Sequence, residues 1–104
     1  MSDAEAIVVH IDKDLEDLIP EFLDNRRGDV ESIRGAVASD DYETVRVLGH
    51  SMKGSGGGFG FDDITEIGAA LEQAAKRKDE TAIRDELEKL ANYLARVEVV
   101  YEEL

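Results

Sequence analysis

His50 is the residue whose type and surroundings could do chemistry. On a helical wheel at about 100° per residue, it lies roughly 165° from the mean direction of Val45, Leu48 and Met52. The spacing therefore predicts an imidazole turned away from the apolar stripe of its own helix and toward solvent. Lys53, Gly54 and Gly57 fall within about 60° of His50 on the same wheel, and Val47 flanks it one turn earlier. An exposed imidazole thus has a cation at i+3 and no side chain at i+4 or i+7. Bare backbone beside the ring lets another surface approach closely. Neutral imidazole is a nucleophile near neutral pH, so transient phosphorylation is a chemistry that fits. The product would carry nearly two negative charges, which Lys53 is placed to offset. Spacing alone leaves a second reading open, a solvated histidine ahead of a flexible glycine run.

Other chemistries fit less well. The run Gly54-Ser55-Gly56-Gly57-Gly58-Phe59-Gly60 is no phosphate-binding loop, because no Gly-Lys-Ser/Thr follows it and Lys53 precedes it. His10 and His50 stand far apart, and no serine beside an acid suggests a triad. The absence of cysteine removes disulfides, thiolate zinc sites and thiol catalysis together. No metal site and no cofactor are expected.

The elements that must position His50 read as helices. Ala, Leu, Glu, Lys and Arg abound, and there is one proline in 104 residues. Residues 1–11 read as a loosely ordered lead-in, with Ile7-Val8-Val9 as an extended piece against the core. Residues 12–104 read as the domain proper. Asp12 and Asp14 offer caps for a short extra helix reaching Leu18, and Pro20 opens the next helix at its first turn. That helix carries Phe22, Val30, Ile33 and Val37. After Ser39-Asp40-Asp41 a second helix starts near Tyr42 and bears His50. The glycine run weakens it beyond Gly54. A third helix starts near Asp62-Asp63, with Ile64, Ile67 and Leu71 on one face. The last is capped by Asp79 or Thr81, and the spacing of Ile83, Leu87, Leu90, Leu94, Val97, Tyr101 and Leu104 predicts a helix to the C-terminus. The expectation is an all-α fold, an antiparallel up-down-up-down four-helix bundle with a short N-terminal extra helix.

Lys plus Arg number 12 and Asp plus Glu 25, a net charge of −13. Such a chain repels phosphate backbones and anionic lipid, so neither nucleic acid nor membrane is expected as a partner. Most of its carboxylates form a solvated surface, and no pair stands out as a hydrolytic dyad. With no signal-like apolar run near Met1, a cytoplasmic location is expected.

The run His50-Ser51-Met52-Lys53-Gly54-Ser55-Gly56-Gly57-Gly58-Phe59-Gly60 resembles the signature of histidine-containing phosphotransfer (HPt) domains, His-x-x-Lys-Gly-Ser/Ala with a glycine ten residues after the histidine. Family members supply an acidic or amide residue 22 positions after that histidine, where Glu72 stands. The resemblance covers nearly the whole chain. It implies that His50 is phosphorylated on Nε2, that Lys53 offsets the phosphoryl charge, and that Glu72 accepts a hydrogen bond from the other ring nitrogen. Val47, Gly54, Gly57 and Lys76 would form the docking surface. It further implies a phosphocarrier of a phosphorelay with no ATP site of its own. Its partners would be a histidine kinase and a receiver domain that brings its own Mg²⁺. The histidine-bearing substrate domain of a chemotaxis-type kinase shares the motif, and a non-catalytic helical adaptor is the alternative from another class. The triple glycine departs from the small residues with Cβ usual in the family.

Overall fold

A computed structural model describes residues 5–103. Four helices dominate it: α1 (Ile19–Ala38), α2 (Tyr42–Gly56), α3 (Asp62–Lys76) and α4 (Glu80–Arg96). Each has a readable origin. Pro20 sits in the first turn of α1, where its fixed φ suits the helix and its missing N–H costs nothing. Asp41 caps α2 by accepting from Thr44 N at 3.1 Å. Asp79 caps α4 through Ala82 N at 3.1 Å. α3 has no side-chain cap, but Asp62 and Asp63 face the positive end of its dipole. Asp40 and Lys78 adopt left-handed conformations in the two tight helix connections.

The helices form a bundle in which each packs on the next and α4 returns to α1. Ile33, Val45, Met52, Ile64, Leu71, Ile83 and Leu90 fill its centre with no measurable exposure. Phe22 closes one end against Phe59 and Phe61, with ring centroids 4.6 and 5.5 Å away.

Two segments depart from the all-α expectation. Ile7–Asp12 is a strand, β1, and Val97–Glu102 is a second, β2. They pair in parallel from Ile7 opposite Val97 to Asp12 opposite Glu102. The last helix therefore stops at Arg96 rather than continuing, and Leu104 lies outside the described residues. The reason is that Val97 and Tyr101 satisfy a period of four and a period of two alike. Val97, Val99 and Tyr101 form the half-buried side of β2, and β-branched side chains favour the strand once β1 offers a hydrogen-bonding edge. At the N-terminal side, the expected extra helix is replaced by a single 3₁₀ turn, Lys13–Leu15, capped by Asp12.

Candidate functional site

His50 sits in the third turn of α2 with its side chain 65% exposed. Val45 and Met52 anchor the opposite face of α2 in the core, which is what turns the ring outward. α3 lies against this part of α2 at unusually close range. A Cβ on Gly49 would stand 2.8 Å from both Glu72 N and Gly68 O. A Cβ on Gly68 would stand 2.6 Å from Lys53 N and 2.7 Å from Gly49 O. No real side chain fits there, so the two backbones meet across a pair of glycines. Neither glycine was singled out by the sequence reading. The signal available was a glycine inside an otherwise strong helix pattern, which costs about 1 kcal/mol against alanine unless something requires it.

The close approach carries Glu72 to His50. Glu72 Oε2 lies 3.0 Å from His50 Nδ1, and the Glu72 side chain is only 5% exposed. The wheel puts Glu72 on the flank of its helix, and the glycine contact covers that flank. Lys53 Nζ is 2.7 Å from Oε1, an ion-pair distance, although off the direction of a well-aligned hydrogen bond. Lys76, one turn along α3, reaches Oε2 at 4.0 Å. One buried carboxylate thus faces two ammonium groups and an imidazole. The Lys53 ammonium, aided by the His50 ring, holds the Glu72 carboxyl below its ordinary pKa despite the opposing effect of burial. Glu72 is therefore ionised and can only accept. It follows that His50 Nδ1 donates in this contact, and that in the neutral ring the lone pair is on Nε2.

The glycine segment is ordered by contacts of its own. α2 stays helical through Gly56, and Gly57–Phe59 tighten into a 3₁₀ turn that ends at Gly60 with φ of +94°. Thr65 of α3 bridges the change of pitch. Its hydroxyl accepts from Gly57 N at 2.6 Å and donates to Lys53 O at 3.1 Å. Sequence reading had no handle on Thr65, because its partners come from another helix. Gly56 is packed against α3, whereas a Cβ on Gly54 would meet nothing within 4 Å. Gly57 is nearly as open, with Thr65 Oγ1 at 3.5 Å. Val47 is 48% exposed on the same helix as His50. The structure therefore brings His50, Lys53, Glu72 and Lys76 into one cluster, with Val47 and Gly54 exposed along α2 and Gly57 exposed just past its end. His10 belongs elsewhere, 2.8 Å from Glu102 on the outer side of the strand pair.

Chemically, this is an exposed imidazole engaged at Nδ1 by a buried carboxylate and flanked by cations, an arrangement that in the neutral ring can offer Nε2 as a nucleophile. No group of three or more His, Cys, Asp or Glu able to hold a metal occurs among the described residues. No helix among them is long and apolar enough to cross a membrane.

The family model of the Hpt domain matches residues 17–99. No curated protein and no solved structure matches the chain.

Proposed function

Because the chain belongs to the Hpt domain family, the phosphotransfer modules of two-component signalling, we propose that His50 is its phosphoacceptor and exchanges a phosphoryl group with an aspartate of a receiver domain. The single observation that supports this most is the contact between Glu72 Oε2 and His50 Nδ1. In the neutral form of the exposed ring, it places the hydrogen on Nδ1 and the lone pair on Nε2. The Nε2 lone pair attacks the phosphorus of an aspartyl phosphate. The P–N bond forms as the P–O bond breaks, and the aspartate leaves as a carboxylate. The reverse step returns the group. Lys53, released in part from Glu72, turns to the phosphoryl oxygens, and Lys76 adds positive potential.

In this reading Val47, Gly54 and Gly57 are the surface the receiver covers. Members of this family are phosphocarrier modules rather than enzymes. A histidine kinase supplies the relay, and the domain works in the cytoplasm. The unit is the segment 12–104 together with the strand β1 from the 1–11 lead-in, since β1 pairs with β2 and Ile11 lies in the core. The bundle runs up-down-up-down, a course supported by the contact order of α2 and α3, in which Gly49 meets Gly68 and Glu72 while Gly56 meets Phe61 and Thr65.

The test is incubation with a receiver carrying labelled aspartyl phosphate. Label should pass to this chain and not to His50→Gln. The product should be lost in acid and survive base, as a phosphoramidate does. Peptide mapping that places the phosphate on His10, Ser51 or Ser55 would overturn the assignment.

A further inference from the structure

The hydrogen-bond ladder of α2 is interrupted at Gly57, and a side chain of α3 fills the gap. In a continuing α-helix Gly57 N would bond to Lys53 O, four residues back. Instead Gly57 N donates to the Thr65 hydroxyl at 2.6 Å, and that hydroxyl donates to Lys53 O at 3.1 Å. The Thr65 oxygen stands between the two backbone groups as an inserted water would. Insertion of a side chain into the ladder changes the course of a helix. Here the α-helix ends at Gly56 and a 3₁₀ turn follows.

Two further observations concern the same hydroxyl. A threonine inside a helix can bond back to a carbonyl of its own preceding turn, but Thr65 turns to α2. Gly56 clears the space for it: a Cβ there would stand 2.7 Å from Thr65 Oγ1 and 2.6 Å from Thr65 N. Thr65 also shares a face of α3 with Gly68 and Glu72, three and seven residues on. Glu72 reaches His50, Gly68 admits the backbone at Gly49 and Lys53, and Thr65 holds Lys53 O and Gly57 N. Lys53 is thereby fixed by α3 at both ends, its carbonyl by Thr65 and its ammonium by Glu72.

We infer that Thr65 is a positioning residue for phosphoryl transfer. Its hydroxyl sets the course of the last turn of α2, and so places Gly54 and Gly57 beside His50 for the receiver domain. Without it, Gly57 N and Lys53 O close on one another or take up water, and the turn loses its tie to α3 in both cases. The inference rests on the phosphotransfer reading and adds to it a residue outside the glycine run.

The experiment compares Thr65→Val, which keeps the shape without the hydroxyl, with Thr65→Ser, which keeps the hydroxyl. Two rates are measured on each full chain. One is transfer from an isolated receiver domain charged by labelled acetyl phosphate and then freed of it. The other is labelling by phosphoramidate, which needs no docking surface. In Thr65→Val the receiver concentration at half-maximal rate should rise about tenfold, as for the loss of one well-placed hydrogen bond. The ratio of receiver-driven to phosphoramidate rate should fall with it, and Thr65→Ser should restore both. By NMR the Gly57 amide should exchange its hydrogen faster in Thr65→Val and at the parent's rate in Thr65→Ser. If Thr65→Val fails to fold, Thr65→Ala is the second hydroxyl-free variant. A lower melting temperature with an unchanged rate ratio would make the role of Thr65 structural alone and overturn the inference. Equal loss in Thr65→Ser and Thr65→Val would overturn it too. A parent chain labelled by phosphoramidate but by no receiver would count against the phosphotransfer reading itself.

Discussion

Glu72 occupies a position in which removing its charge and removing its shape have different consequences. Glu72→Gln retains an oxygen that can accept from His50 Nδ1, but it leaves Lys53 and Lys76 without a counter-ion. Glu72→Ala removes both. We expect phosphoryl uptake by His50 to slow moderately in the first variant and more in the second, measured as initial rates with phosphoramidate. A structural role without ring orientation would slow neither. The same residue predicts a pH effect. Its pKa is lower in the folded chain than the ordinary value of 4.5. The unfolded chain therefore binds the proton more readily, and the stabilisation is complete above that ordinary value. It is lost as pH falls through the lower, folded value. Urea melts should show a stability gap between the parent and Glu72→Gln that is steady near pH 5 and closes under more acidic conditions. A gap unchanged at the acid end would refute the charge contribution. At this scale the sequence was informative, because His50, Lys53 and Gly54 lie within one stretch of helix and Glu72 stands at a spacing the family resemblance supplies. Thr65 was not legible, since a hydroxyl that bonds to Lys53 O and Gly57 N on a neighbouring helix leaves no periodic trace.

At the scale of the element, the glycines divide into two groups that composition cannot separate. Gly28 and Gly35 of α1 face open space, where an added Cβ meets nothing within 4 Å. Alanine there should stabilise the chain by up to about 1 kcal/mol, through better helix propensity and a less flexible unfolded state. Gly68 is the opposite case. A Cβ would strike the backbone at Lys53 N, 2.6 Å away, and neither helix can yield by rotating a side chain. Gly68→Ala should therefore destabilise by roughly 1–3 kcal/mol, in the range of an overpacked core. It should also slow phosphoryl uptake, because the helix pair that sets the His50–Glu72 distance is forced apart. Thermal melts and phosphoramidate rates on the same three variants test this ordering. Gly57 stands between the groups. Its φ of −65° is ordinary helix, and its nearest neighbours are 3.5 and 3.7 Å from an added Cβ, so Gly57→Leu should fold normally. If it lies under a docked receiver, it should depress transfer from the receiver while sparing reaction with phosphoramidate. The crossing at Gly49 and Gly68 was hidden in the sequence because each glycine is explained only by the other's helix.

For the whole molecule, the unforeseen feature is that the first and last described elements, β1 and β2, pair with each other. β1 and β2 lie 90 residues apart in register, Ile7 opposite Val97, with four helices between them. Helical spacing could not reveal this, because Val97 and Tyr101 serve either period and a parallel partner so distant leaves no local signal. The pair has two faces with different duties. Ile11 is 1% exposed and belongs to the core, where Gly60, held at φ of +94°, brings its backbone close to the Ile11 side chain. Val8, three residues earlier and on the other face, is 51% exposed. Ile11→Ala should cost about 2–5 kcal/mol, the range for truncating a buried aliphatic residue, whereas Val8→Ala should stay within about 0.5 kcal/mol. Isolated two-stranded sheets are marginal in water, so this pair depends on the bundle beneath it. Loss of Ile11 should therefore release β1 and β2 before it releases α2 and α3. Hydrogen exchange on Ile11→Ala should show faster amide exchange from Ile7 to Asp12 and from Val97 to Glu102, with Val45 and Leu71 still protected. Phosphoramidate should continue to modify His50 in that variant, since none of the residues around the ring lies on the strands. Equal destabilisation by the two alanine substitutions, or exchange that rises uniformly through the helices, would show that the strand pair is not a separate layer resting on the bundle.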